Sequence, residues 1–344
     1  MAGTWYVKPD GTGDASTIQA AVDSAVAGDT ILLSDGTFRG AGNRDVVVEK
    51  SLTIRSESGE PEACVIDCQG SSAEHHRAFL CDAAYLLFQG LTVENGYQSE
   101  GGALDIQTTQ EGRITISRCR FINNNGGYGG AMRLLLLGYE TYVISECVFI
   151  GNCSEYYGGG VFLERHLNPD GLCRIVNCTF SSNCGYYGAA LAEWLFEPPL
   201  SGPLTEDLGT HMIGCTIAAN TGACSFFGTT MSGERLIIAN NETNAPFINS
   251  IPVLSCSNVF GNAGGDWIGV LEDQYRVRGN IRVCPSFCSL PQGDFHLCDE
   301  SLCLPGRHPD DFACDLIGAL GTGCSCGPSE TRPTTWGGIK SIYR

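Results

Sequence analysis

Lysine is nearly missing from this 344-residue chain: of 20 basic residues only Lys8, Lys50 and Lys340 are lysines, all toward the ends. A Lys-based phosphate loop is therefore absent, and neither a zinc-protease helix nor a nucleophile elbow occurs elsewhere. Charged residues of both signs amount to 17% and no apolar run is long enough to cross a membrane as a helix. The opening Met-Ala-Gly-Thr-Trp lacks the basic and apolar regions of a secretory leader. It reads either as a mature form with an added Met or as a cytosolic start. The net charge of −18 disfavours nucleic acid and anionic membranes as partners. Polyanionic glycans would be repelled too, unless a divalent cation bridged them.

What is plentiful is glycine (45) and cysteine (19). No C-x-x-C pair stands in zinc-ribbon spacing, so the cysteines favour an oxidising, extracellular setting, and with it the mature-form reading. They are not scattered. Cys119-x-Phe121-x-x-Asn124 returns as Cys147-x-Phe149-x-x-Asn152, as Cys178-x-Phe180-x-x-Asn183 and, loosened, as Cys215-x-Ile217-x-x-Asn220, with a decayed copy near Cys256. A glycine half recurs in step: Gly101-Gly102-Ala103, Gly129-Gly130-Ala131, Gly158-Gly159-Gly160, Gly188-Ala189-Ala190, and a faint Gly228-Thr229-Thr230-Met231. Successive cysteines lie 28, 31, 37 and 41 residues apart.

Each unit alternates short β-rich runs with turn residues and shows no helical period, so it cannot bury its inner face alone. Stacked units give parallel sheets and a solenoid. Cys and Phe then point inward, Asn takes a left-handed corner within a ladder of its equivalents, and glycines turn the chain where a Cβ would clash. The repeat cysteines, Cys256 included, are expected as reduced thiols or as pairs. Cys153 and Cys184 fall on adjacent rungs, within reach of a disulfide. Cys284, Cys288, Cys298, Cys303, Cys314, Cys324 and Cys326 look like staples of a cap. Residues 15–27 read as a capping helix, with Ser16 as N-cap, Ile18, Ala21, Val22 and Ala25 inward, and Gly28 as the stop.

Thr17-Ile18-Gln19-Ala20-Ala21-Val22, followed by Gly28-Asp29-Thr30-Ile31 and Gly36-Thr37-Phe38, resembles the N-terminal cap of the right-handed parallel β-helix (pectate-lyase-like) superfamily. The likeness runs on to about residue 327. It implies an all-β, single-domain right-handed parallel β-helix of about nine coils. We divide it into an N-terminal cap (1–44), coils (45–283), a disulfide-rich C-terminal cap (284–326) and a basic tail (327–344). The pairing of F-x-x-N with G-G-A-[ILV] also resembles repeats of the polymorphic outer-membrane proteins, which are adhesion-associated; no C-terminal membrane barrel accompanies it here.

Alternation on the glycine strands sends Met132, Val161 and Leu191 inward and Asp105, Arg133, Phe162 and Ala192 outward, with Glu164 and Trp194 one step further. Lengthening insertions after these strands are expected to wall that face. Arg165 and His166 are expected to open one of them. Under the resemblance, lyases of this fold use a Lys or Arg base with carboxylate-held calcium, which makes Arg133, Glu164 and Asp105 catalytic candidates. The plainer reading pairs Arg133 with Asp105 or Glu164. Glu164 and Glu193 could serve as a hydrolase pair. Arg165, His166, Glu193 and Trp194 are candidate ligand contacts, and of three glycosylation patterns only the one at Asn241 is expected to be accessible. No metal and no cofactor is expected, save calcium under the lyase reading. The expectation is a secreted or cell-surface protein with a binding, adhesin-like or structural role. Its partner would be an extracellular glycan or a surface protein, with self-association through the ends or tail. The alternative is a carbohydrate-active enzyme, a calcium-assisted polysaccharide lyase.

Overall fold

The computed structural model describes residues 2–108, 111–137, 140–166, 171–195, 209–228, 231–250 and 252–326. A full coil contains four strands, as in Arg113–Ser117, Arg120–Ile122, Asn125–Tyr128 and Met132–Leu136. Each strand pairs in parallel with its counterpart one coil away. The result is the parallel β-helix that the repeat implies, with a ten-stranded sheet, a nine-stranded sheet and a twelve-stranded sheet as its faces. The third face is bent at the glycine pairs. Gly129 has φ +75° and a Cβ there would stand 2.3 Å from the Met132 carbonyl oxygen; at Gly130 it would stand 2.2 Å from that of Gly159. Side chains could not share that corner.

Further along, the corner opens. Thr221–Phe227 and Glu242–Ile248 are seven-residue strands that run through it and join the two half-sheets. Phe226 lies beside Leu191, so the counterpart of Gly188-Ala189-Ala190 is Ala223-Cys224-Ser225. The faint copy at Gly228–Met231 is thus out of register: Met231 begins a strand of the ten-stranded sheet.

Three rows fill the interior. Backbone N–H groups of Cys119, Cys147 and Cys178 each donate to the sulfur of the next cysteine at 3.4–3.5 Å. Phe121, Phe149 and Phe180 stack at 5.1 and 4.5 Å. Asn124, Asn152, Asn183, Asn220, Asn241 and Asn262 form a buried ladder in which each residue's N–H and Nδ2 donate to the next side-chain oxygen, at 2.8–3.1 Å. Left-handed φ belongs to the residue before each rung, such as Asn123, Ser182 or Asn240, and not to the ladder residue as expected. The same offset corrects Cys256. It sits at a left-handed corner, one residue before the row where Ser257 stands, and bridges to Cys314.

Helix Ile18–Ser24 closes the N-terminal end with Ile18, Ala21 and Val22 buried; its cap is Thr17, whose hydroxyl accepts from Ala20 N, and not Ser16. Disulfides join Cys153–Cys184, Cys288–Cys324 and Cys298–Cys326 as well. Of the presumed staples, Cys284 and Cys303 are free thiols. Burial pushes the Cys64, Cys173 and Cys303 thiols up to about 12, which keeps them protonated and inert. The C-terminal segment packs along the outside of the last coils. Ile281, Phe287, Phe295, Leu297 and Ile317 form a second core with Ala218, Ile237 and Ala239 of the nine-stranded sheet, and Ala319 N donates to Thr216 Oγ1 at 3.0 Å.

Candidate functional site

Outward positions of the twelve-stranded sheet change from coil to coil. Asp105, Arg133, Phe162 and Ala192 occupy one row in register, and Leu135, Glu164 and Trp194 another. From its rung the Arg133 side chain reaches both neighbours. Its Nη1 lies 3.2 Å from Asp105 Oδ1 and 3.3 Å from Glu100 Oε2, while Nε and Nη2 lie 2.8 and 2.6 Å from Glu164 Oε2. Asp105, 1% exposed, also accepts from Arg77 Nη1 at 2.8 Å and from Gln107 Nε2 at 2.7 Å. Glu164 Oε1 stands 2.9 Å from His166 Nε2. The three catalytic candidates and His166 are therefore one cluster, to which Arg77, Glu100 and Gln107 belong without having been singled out in the sequence.

Burial alone would lower the Arg133 pKa, but Asp105, Glu164 and Glu100 outweigh it and hold the guanidinium more firmly protonated than usual. Held in this way, Arg133 fits the plainer reading of a paired cation better than that of a proton acceptor. Calcium does not fit here either, because the converging carboxylates of Asp105 and Glu164 are already engaged by Arg77 and Arg133. Elsewhere among the described residues only Cys298, Asp299 and Cys326 converge as possible ligands, and both sulfurs are joined in a disulfide.

Arg165 and Glu193 are placed differently from expectation. Strand Val161–Arg165 continues one residue past the point where a loop was read, and alternation turns Leu163 and Arg165 inward, as it does Glu193 two residues after Leu191. Arg165 Nε pairs with Glu193 Oε1, and Arg165 Nη2 lies 3.3 Å from Thr210 Oγ1, which is 3.4 Å from Glu193 Oε2. Both residues are at least 95% buried, so they hold the coil together from within and cannot meet a ligand on its face.

Trp194 is 38% exposed and stands edge-on to Tyr157, with ring centroids 4.9 Å apart. It belongs to a larger aromatic strip. Tyr128, Tyr157 and Tyr187 follow one another on successive coils at 6.0 and 5.5 Å; Phe162 lies 5.6 Å from Tyr128, and Phe227 4.7 Å from Tyr187. Tyr156 and Tyr186 stand exposed beside them. The signal was present in sequence, since each of the three tyrosines directly precedes the corner glycine: Tyr128-Gly129, Tyr157-Gly158, Tyr187-Gly188. The insertions expected to wall this face fall mostly on residues 138–139, 167–170 and 196–208, outside the described residues.

Two other features lie apart. A shallow depression of about 270 Å³ on the ten-stranded sheet is lined by Ser51, Thr53, Tyr85, Leu87 and Arg113. Of the glycosylation patterns, Asn241 is buried in the ladder, contrary to expectation, whereas Asn177 is exposed.

No family model matches the chain. Pectinesterase 31 of Arabidopsis thaliana is 27% identical over 181 residues, covering 46% of this chain and 53% of that protein. The chain thus spans about half the length of the curated relative it matches. Among solved structures, the pectate lyase Pel9A aligns with a TM-score of 0.48 and 12% identity, over 94% of this chain and 97% of that one. A pectin methylesterase from Aspergillus niger aligns at 0.45 and 14%, over 86% and 94%, and a rhamnogalacturonan lyase at 0.45 and 13%, over 92% and 96%.

Proposed function

We propose that this chain is an extracellular, carbohydrate-active protein that holds a glycan across the outward face of its twelve-stranded sheet. The observation that carries the reading is the aromatic strip: Tyr128, Tyr157 and Tyr187, one per coil, with Trp194 and Phe227 against them. Flat, partly exposed rings suit the C–H faces of pyranoses while the phenol hydroxyls serve sugar hydroxyls. Four disulfides support an oxidising location. The relative named pectinesterase supports a polysaccharide as partner.

For turnover, the geometry favours the Glu164–His166 pair over elimination from Arg133. A carboxylate 2.9 Å from an imidazole nitrogen fixes the ring, and histidine can accept and return a proton near neutral pH. Purified protein incubated with a polysaccharide panel should release acid or reducing ends, resist chelator, and lose activity in His166→Ala. New unsaturated ends that require calcium would overturn this assignment in favour of the lyase. Retention of glycan without any turnover would favour the adhesin-like role implied by the outer-membrane-type repeats. That second reading has its own support: within the charged cluster Arg133 is satisfied by Glu100, Asp105 and Glu164, while the strip carries exposed rings.

A further inference from the structure

We infer, on the premise that a glycan lies on this face, that the glycan it selects is uncharged, and that chains bearing free uronate carboxylates are rejected. Recognition of a carboxylate calls for an accessible guanidinium or ammonium group. Between residues 97 and 228 the chain has no lysine and six arginines. Arg113 and Arg174 stand on the ten-stranded sheet, Arg120 on the nine-stranded sheet, and Arg118 at the corner between those two. Arg165 is inside the coil with Glu193. Arg133 alone reaches the aromatic face, where Glu100, Asp105 and Glu164 surround it, and Arg77, from the preceding coil, is held by Asp105. Among the described residues, no lysine or arginine of the face is left to meet an anionic sugar.

The negative groups are less confined. Glu155 is exposed beside Tyr156, and the Glu100 side chain is 46% exposed at the edge of the cluster. A polyuronate laid along the strip would bring like charges together on a protein already at −18. The rings carry no such penalty for a neutral chain. One tyrosine per coil, at 6.0 and 5.5 Å steps, makes the strip a continuous apolar surface along successive coils.

The test is affinity electrophoresis of the full chain, at low and high salt, through gels containing β-glucan, glucomannan, polygalacturonate or fully methyl-esterified polygalacturonate. We expect retention by at least one uncharged polymer, at least tenfold weaker retention by polygalacturonate at low salt, and a narrower gap at high salt. Tyr157→Ala should weaken retention about tenfold while Tyr157→Phe, which keeps the ring and loses only the hydroxyl, weakens it far less, and Glu155→Lys should raise polygalacturonate retention several-fold relative to the neutral probe. Polygalacturonate bound as tightly as the neutral polymers, with binding that salt weakens, overturns the selectivity alone. Failure of all four polymers to retard the protein overturns the glycan reading itself, and the selectivity with it.

Discussion

The inside and the outside of the same coils follow opposite rules. Inward, one row on the nine-stranded sheet repeats Phe121, Phe149, Phe180 and a ladder at the following corner repeats six asparagines; outward, a row of the twelve-stranded sheet runs Asp105, Arg133, Phe162, Ala192, Phe227. Inside, each rung must satisfy the same neighbours above and below, so the same side chain answers best. Outside, no neighbouring rung imposes that demand, and a mixed row can be shaped to something other than the protein. In this solenoid, the site is where the repeat stops repeating.

That contrast is sharpest if the middle of the ladder is cut. Asn183→Ala removes the acceptor for two buried donors of Asn152 and the amide that serves Phe149 O, so a loss on the order of 4 kcal/mol is expected, at about 1–3 kcal/mol per orphaned group. Urea unfolding would measure it, with glycan retention unchanged in whatever remains folded at low denaturant. Next comes Arg133→Met, which leaves buried Asp105 with Arg77 and Gln107 only; about 3 kcal/mol is expected, as for a broken buried ion pair. A loss well under 1 kcal/mol would mean that the cluster is solvated rather than locked. Trp194→Ala should cost stability less than about 1 kcal/mol, since surface rings carry little of the fold, yet weaken glycan retention several-fold. Equal damage to folding and binding would erase the distinction between the two sides.

The smallest effect concerns an outward acidic pair on the nine-stranded sheet. Asp67 and Glu94 are in register on adjacent strands. Burial would raise Asp67, but Asn95, Arg39 and Gln69 donate to it and hold it below the usual carboxylate range; burial and Asp67 push Glu94 up. Asp67 thus adds stability above its unfolded pKa and loses it as pH falls through its native value. Glu94 has the opposite sign: its proton is favoured in the native state, and ionisation costs stability as pH rises through its raised native pKa. Glu94→Gln should therefore gain a few tenths of a kcal/mol at pH 7 and nothing below pH 4, a size typical of exposed charges. Thermal melts across that range would show it; a loss at pH 7 would refute it.

How much was legible follows from the same division. The coil, its glycine corners, the Cys and Phe rows and the Cys153–Cys184 bridge were readable because each repeats at a fixed offset. Where the offset slipped by one, at Cys256 and at the left-handed residue before each ladder asparagine, the composition was right and the position was not. Gly228–Met231 misled because the corner it should have matched had been replaced by a straight seven-residue strand. On the outside, Asp105, Arg133 and Glu164 were found by alternation, but their closure by Arg77 and Glu100 depends on contacts between coils that no single unit contains. Arg165 escaped because it was read as opening an insertion although the strand still includes it, and Glu193 because its inward register, two residues after Leu191, was not followed through.

The ladder also has a direction. Every asparagine passes its two N–H groups toward the C-terminal end, and the last, Asn262, gives them to Asp266 Oδ1 at 2.9 and 3.1 Å, while Asp266 Oδ2 takes Arg282 Nε at 2.7 Å. Asparagine can relay a hydrogen bond; an ionised aspartate can only receive one. With Asp266 the side chain has nothing left to hand on, so a further coil, or the first coil of a second molecule, would find no side-chain donor waiting. A fold whose geometry could continue without limit is given its length by one atom exchanged: an amide nitrogen for a carboxylate oxygen.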